Sequence, residues 1–360
     1  MVRQVAKRLA GLFCDEKIDI VCVLGGPYVG KSWLVESYVS GDRDNGRLVF
    51  DNINSYEEFK KIVDEKTKCG EKCIIVGRLL EEKCRQYERE GIRIEYVNVY
   101  PLNFAEFKVV MPKKYNIQPM QMLKIYMLVG GLPEVIKVFL DTGDIDKVRR
   151  KQVEILQRIE EETDRKQRAI IKSVIAQEQC DGTGFFLSKI DRNARKREYE
   201  GALNSLLDMG VIEKRLRYAP KLNVDVRKYK LHIYDLGLYL TAIEFNNIQF
   251  INSYKGWDKR LLYKFMIMDL RTYIDKREEM IMYWSKYKAK ANIPMIIKVE
   301  RGMEEILFPV GIKENVRLLD KSVSVFMKEY INVRPINMKI PLMEEVEDGL
   351  DLYYRISNNA

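Results

Sequence analysis

Hydrophobic residues in the first hundred positions come in short blocks. Ile18-Asp19-Ile20-Val21-Cys22-Val23-Leu24 is apolar at all but one position, which reads as a strand buried on both faces. Comparable runs recur at Arg47–Asn52, Lys72–Gly77 and Ile92–Val99. Between them the period changes from two to that of a helix: Ser32–Tyr38, then Ser55–Lys66 with Phe59, Ile62 and Val63 on one face, then Leu79–Arg89. Ser55 with Glu58 three residues later has the form of a capping box. Strand and helix alternating in this way predict a parallel sheet with crossover helices.

From Pro119 to about Ile175 the pattern is wholly helical and rich in charge, broken by Gly130-Gly131-Leu132-Pro133. Helices are then predicted over Ala169–Glu178, Leu187–Asn193 and Arg195–Met209, followed by a ribbon over Val211–Tyr218 and Lys228–Tyr234, the outline of a winged helix. A helix from Gly256 to Asp275, strands at Met280–Lys286, Met295–Val299 and Ile306–Lys313, a helix at Asp320–Tyr330 and a strand at Asn337–Ile340 describe a small mixed sheet. The expected divisions are residues 1–110, 111–168, 169–245 and 246–360, with no internal repeat and no low-complexity linker.

Between the first strand and the first helix stands Gly25-Gly26-Pro27-Tyr28-Val29-Gly30-Lys31-Ser32, a G-x-x-x-x-G-K-[ST] loop. Its glycines let consecutive N–H groups converge on phosphate oxygens at the positive end of the following helix. Lys31 is placed for β- and γ-phosphates and the Ser32 hydroxyl for Mg²⁺. Asp51, ending the next strand, is the acid on the Mg²⁺ side.

At 360 residues and 46% hydrophobic the chain can bury more than one core, and no apolar run approaches the ~20 residues of a membrane span. Its first residues are amphipathic and do not look like a secretory signal, so a cytoplasmic protein without membrane contact is expected. Cys14, Cys22, Cys69, Cys73, Cys84 and Cys180 lack zinc spacing and read as reduced structural thiols. His232 is the only histidine and falls in a strand pattern, which argues against hydrolase chemistry built on a Ser-His or Cys-His pair. A net charge of +9 with pI near 9.0 permits contact with nucleic acid without requiring it.

Three further segments carry a resemblance. Val99-Tyr100-Pro101-Leu102-Asn103-Phe104-Ala105-Glu106-Phe107 resembles the "PLSFxEF" segment of a prokaryotic group of AAA-type (STAND-like) P-loop ATPases. Tyr126-Met127-Leu128-Val129-Gly130-Gly131-Leu132-Pro133-Glu134 is similar to that group's "YLxxGGxPE", and Lys230-Leu231-His232-Ile233-Tyr234-Asp235-Leu236-Gly237-Leu238 to its "KLYFxDxGL". The resemblance implies an α/β fold: a P-loop NTPase parallel sheet, a helical lid, a winged helix and a small α+β domain related to PD-(D/E)xK nucleases. It also implies ATP and Mg²⁺ as cofactors, with Asp51 acting through metal-bound water.

The departures from the group's pattern are chemical. Where the group has Asp-Glu, this chain has Asp51-Asn52, and an amide cannot take a proton from water. The next strand ends Val76-Gly77-Arg78 in place of a Thr/Ser-containing turn, and the stretch from Ser37 to Arg47 is too short for the group's second strand. In the nuclease-like region Lys313 remains, but the positions of the metal-holding acids are Pro294 and Gly311, and the first helix offers Asp258 and Arg260. Arg192, Arg195, Lys196 and Arg197 at the third helix of the winged-helix outline, with Lys214, Arg215 and Arg217 in its wing, are the candidate contacts to duplex DNA. The leading expectation is an ATP-binding switch with weak or lost ATPase activity. The alternatives are a DNA-binding protein whose ATPase domain is mainly structural, and an active DNA-processing ATPase–nuclease.

Overall fold

The computed structural model describes residues 4–39, 47–112, 117–178, 184–190, 195–219, 228–245, 250, 258–274, 278–286, 289–313, 320–341 and 345–360. The chain is mixed α/β. Its first half is built on strands β1 (Ile20–Leu24), β2 (Leu48–Ile53), β3 (Cys73–Gly77) and β4 (Ile94–Asn98), all parallel, in the order β2-β3-β1-β4. Because β1 is central, its side chains are buried on both faces, which is why it reads as a continuous apolar run. Val21 and Val23 join Leu9 and Phe13 of helix α1 (Gln4–Cys14) and Leu34 of α2 (Lys31–Val39). Ile20, Cys22 and Leu24 face the other way, onto Phe59, Ile62 and Val63 of α3 (Tyr56–Cys69).

The helix expected over Leu79–Arg89 is only one turn, α4 (Glu81–Cys84), followed by a 3-10 turn at Arg85–Tyr87. Cys84 is the single buried residue of α4, so no apolar face extends it. Ser55 caps α3 by accepting the Glu57 N–H at 3.2 Å, not through the box with Glu58. The strands β1 and β2 are consecutive in the chain but not neighbours in the sheet. The strand β3 stands between them, and Asp51 reaches the loop side across the end of β3.

Helices α5 (Phe104–Val110), α6 (Pro119–Val129), α7 (Pro133–Thr142), α8 (Ile145–Glu161), α9 (Arg165–Glu178) and α10 (Lys196–Asp208) lead to an antiparallel ribbon, β5 (Ile212–Leu216) with β6 (Tyr229–Ile233), and to α11 (Leu236–Ala242). The helix expected at Leu187–Asn193 is a 3-10 turn over Leu187–Lys189 with no buried residue, and residues 191–194 lie outside the described ones.

The last third holds α12 (Lys259–Arg271), the antiparallel strands β7 (Glu279–Lys286), β8 (Ala291–Arg301) and β9 (Glu304–Lys313), α13 (Lys321–Met327), β10 (Ile336–Lys339) parallel to β9, and α14 (Gly349–Asn359). One face of this sheet packs Trp284, Ile296 and Leu307 on Phe326 of α13. The other packs Ile297, Phe308 and Val310 on Phe265 of α12 and Leu352 of α14. That second cluster is continuous with the core around α1, α6 and α8, so the buried interior runs unbroken from the first sheet to the second. No helix among the described residues is long and apolar enough to cross a membrane.

Candidate functional site

The chain leaves β1 at Leu24 and turns on Gly25, whose φ of 155° suits glycine and whose added Cβ would lie 2.2 Å from the Val99 carbonyl oxygen. Tyr28 at φ 59° and Gly30 at φ 87° are also left-handed, and α2 starts where Leu34 N–H donates to Gly30 O at 3.0 Å. Lys31, first residue of α2, folds back over the loop and donates from Nζ to Gly25 O at 3.0 Å and Gly26 O at 2.7 Å. Burial lowers its ammonium to about 8; nearby Arg78 adds to the effect and Asp51 opposes it.

A cavity of about 550 Å³ opens on this loop. Lys31 and Ser32 form one wall, Asp51, Asn52 and Arg78 a second, and the first turns of α7, with Glu134 and Lys137, a third. Asp51 and Asn52 occupy a register shift where β2 leaves β3, between Phe50 and Ile53. Asn52 has φ 62°, and its N–H donates to its neighbour's carboxylate, Asp51 Oδ1, at 2.7 Å. Asparagine tolerates that backbone better than glutamate does, so the residue type at 52 is tied to the bulge. Gly77 lets the strands approach this closely, since a Cβ there would meet the Ile53 carbonyl oxygen at 2.1 Å.

Arg78 follows Gly77 and is held by an ion pair from Nη1 to Glu162 Oε2, at the end of α8. It lines both the cavity on the loop and a second cleft bounded by Tyr56, Ser205 and Asp208. Trp33, beside Ser32, also lines the loop cavity and is 48% exposed; in the sequence it is one position of the helical Ser32–Tyr38 pattern.

The three segments that carried the resemblance meet at one junction beside this cavity, and the second of them ends in its wall at Pro133 and Glu134. Asp235, fully buried, accepts Gly131 N–H at 2.8 Å and caps α11 through Leu238 N–H at 2.9 Å. Leu102 N–H donates to Gly131 O at 2.7 Å, and Tyr126 OH to Leu102 O at 2.8 Å. Gly130 has φ 74° and lies so near Asp235 that a Cβ would be 2.4 Å from Oδ1. Gln152 of α8 fastens the same junction, donating to Leu128 O at 2.8 Å and Val129 O at 3.0 Å while accepting from Thr241 at 2.6 Å. These residues join elements from distant parts of the chain.

The basic candidates divide. Arg195, Arg197 and Lys214 are exposed, and Lys196 opens α10. Arg215 is buried, and Arg217 is half-buried and donates from Nη2 to Ser285 O of β7. The expected wing is spent on the second sheet: Tyr218 N–H donates to Tyr283 O at 2.7 Å. Arg192 lies outside the described residues.

In the second sheet Pro294 and Gly311 stand on β8 and β9. A Cβ at Gly311 would meet Asn337 Oδ1 of β10 at 2.5 Å, so a side chain there requires Asn337 to move aside. Asp258 caps α12 and pairs with Arg260 at 2.9 Å. Among the described residues there is no group of three or more His, Cys, Asp or Glu able to hold a metal ion. Burial raises the thiols of Cys22, Cys73 and Cys84, consistent with inert core cysteines.

Residues 120–249 match a domain family of unknown function (DUF8612). The matched stretch runs from α6 through the ribbon and α11, and it supplies the α7 wall of the cavity but not the loop. No curated protein matches the chain.

Proposed function

We propose that the protein binds adenine nucleotide with Mg²⁺ at the Gly25–Ser32 loop and turns it over slowly or not at all, so that the nucleotide acts as a switch. The observation that carries this reading is the strand–loop–helix unit opening on a cavity that also receives Asp51 and Arg78. Adenine is favoured only by the resemblance to AAA-type ATPases.

The residues present fit such a ligand. Lys31 already spends its ammonium on two carbonyls of its own loop, and a phosphate in the cavity would draw it away. The Ser32 hydroxyl and Asp51, through water, would hold Mg²⁺, which supplies charge neutralisation on the phosphates. No carboxylate stands at position 52 to orient and deprotonate a water. Turnover is therefore expected below about 1 s⁻¹, under the ordinary enzyme range. Asn52→Glu should raise it, less a strain of about 1 kcal/mol from the left-handed backbone. A wild-type rate of about 10 s⁻¹ that survives Asn52→Ala and is lost in Asp51→Ala would contradict the assignment of position 52.

Arg78 gives the switch its handle. Bound phosphate competes with Glu162 for the guanidinium, so occupancy loosens the tie between the first sheet and α8. Glu162→Gln should tighten Mg-ATP binding by about threefold to tenfold, measured by titration; an unchanged or weaker affinity would remove Arg78 from the switch. Of the basic residues named for duplex DNA, Arg215 is buried and Arg217 is tied to Ser285, while Arg195, Arg197 and Lys214 are exposed; a nuclease centre lacks its acids at Pro294 and Gly311.

A further inference from the structure

The ribbon β5–β6 has two faces. Ile212, Leu231 and Ile233 pack into the core, and the alternation of an antiparallel pair places Glu213, Arg215, Lys230 and His232 together on the opposite side. That polar side is covered by α12 and the end of α9, and a cavity of about 330 Å³ is left beneath it.

Four ionisable side chains, Glu178, Arg215, His232 and Lys264, cluster at this cavity, whose lining also includes Lys230, Asp258 and Arg260 and keeps an excess of cations over carboxylates. Glu178 Oε1 accepts from Lys264 Nζ at 2.5 Å and from His232 Nδ1 at 2.6 Å, and Oε2 lies 3.4 Å from the Ile233 N–H. With Nδ1–H turned to Glu178, His232 presents Nε2 as an acceptor, and among the described residues that atom has no partner. Arg215 is only 7% exposed, yet its Nε and Nη1 have no hydrogen-bond partner among the described residues.

At neutral pH the cluster is not electrically balanced. Burial, helped by the Arg215 charge, depresses His232 to about 4, so it is neutral; burial depresses Arg215 only to about 10, so it stays charged. Two cations then face one carboxylate. A buried guanidinium with unspent donors carries a desolvation penalty that a fold keeps only where something compensates it. The remaining walls include Phe185, Leu240, Ile243 and Pro294, and the volume is at the lower end of small-molecule sites, about 300–1,000 Å³.

We propose that this cavity binds a small organic anion, a carboxylate or phosphate monoester on an apolar body, with its charged head on Arg215 and Lys264. The pocket reaches Asn292 and Pro294, the stretch where a nuclease of the resembled type would hold its metal. The excess positive charge repels a cation there and suits an anion. The site shares no lining residue with the Gly25–Ser32 loop.

Benzoate, phenyl phosphate and inorganic phosphate, titrated calorimetrically into the full chain, test the assignment. The titrations use a Lys31→Ala background, which removes the ammonium that would hold phosphate at the loop. At least one of the two organic anions is expected to bind one to one with a Kd on the order of 1 mM or tighter, more tightly than inorganic phosphate; the preferred one identifies the head group. Adding Arg215→Gln should weaken it by about tenfold or more. Ile243→Trp, which fills the cavity and keeps every charge, should weaken it likewise and serves if Arg215→Gln does not fold. The proposal is overturned if the folded Lys31→Ala protein binds neither organic anion, if binding requires Lys31, or if both cavity variants bind as the background does.

Discussion

Replacing Asp269 with alanine is expected to cost about 3–5 kcal/mol of folding stability. Asp269 lies in α12 with no exposed surface. Its Oδ1 accepts Phe104 N–H at 2.6 Å and its Oδ2 accepts Gly349 N–H at 2.7 Å. Those are the first N–H groups of α5 and α14, so one carboxylate satisfies the starts of two helices from distant parts of the chain. Alanine leaves both donors buried and unpaired. Asp269→Asn keeps one acceptor and should cost less.

The same residue gives a pH signature. Burial raises its carboxyl to about 7, with the charge of Asp348 in the same direction and the two N–H bonds opposing. The native state therefore binds this proton more readily than the unfolded chain, whose carboxyl titrates near 3.8. Its contribution makes stability fall as pH rises from about 4 to about 7. His232, depressed to about 4, acts in the other direction, costing stability as pH falls below about 6.5. Urea denaturation of wild type and Asp269→Asn across this range isolates the first effect, because His232 is common to both. A loss under about 1 kcal/mol for Asp269→Ala, or identical pH slopes for wild type and Asp269→Asn, would show that the carboxylate does not hold the junction.

The parts of the fold legible in the sequence were those with local causes. β1 and β3 are apolar because both faces of the sheet are covered, Val21, Val23, Ile74 and Val76 by one core and Ile20, Cys22, Cys73 and Ile75 by the other, and the loop between β1 and α2 is written in its glycines and Lys31-Ser32. The second sheet was legible because its strands are long and its turns short. Long-range demands were not. Asp269 sits in an amphipathic helix whose spacing gives no sign that the carboxylate faces two distant helix starts. Arg215 and Arg217 read as wing cations, since nothing local says that β7 and α12 cover that side of the ribbon. Asn52 read as a lost base, and its left-handed backbone adds a conformational reason for the amide. The Gly130-Gly131 and Asp235 segments were visible as a pattern, but their joining role required the contact between them.

Lys31→Ala is expected to weaken Mg-ATP binding by about a hundredfold or more. Lys31 bonds the loop carbonyls themselves, and among the described residues its Nζ has two neutral carbonyls as hydrogen-bond partners, so its attraction to a polyphosphate is not offset by a directly bonded carboxylate. Its lowered proton affinity, about 8, still leaves it mostly charged at pH 7, and phosphate beside it would raise that value. Loop geometry should survive the substitution, because the left-handed positions belong to Gly25, Tyr28 and Gly30. Trp33 offers an independent optical signal at the cavity. The most direct measurement is calorimetric titration of Mg-ATP into wild type and Lys31→Ala at matched salt. One-to-one binding by wild type, with a Kd of about 1–100 µM, and its loss in the variant is the predicted result. No binding by folded wild type, or equal binding by both proteins, would contradict the account.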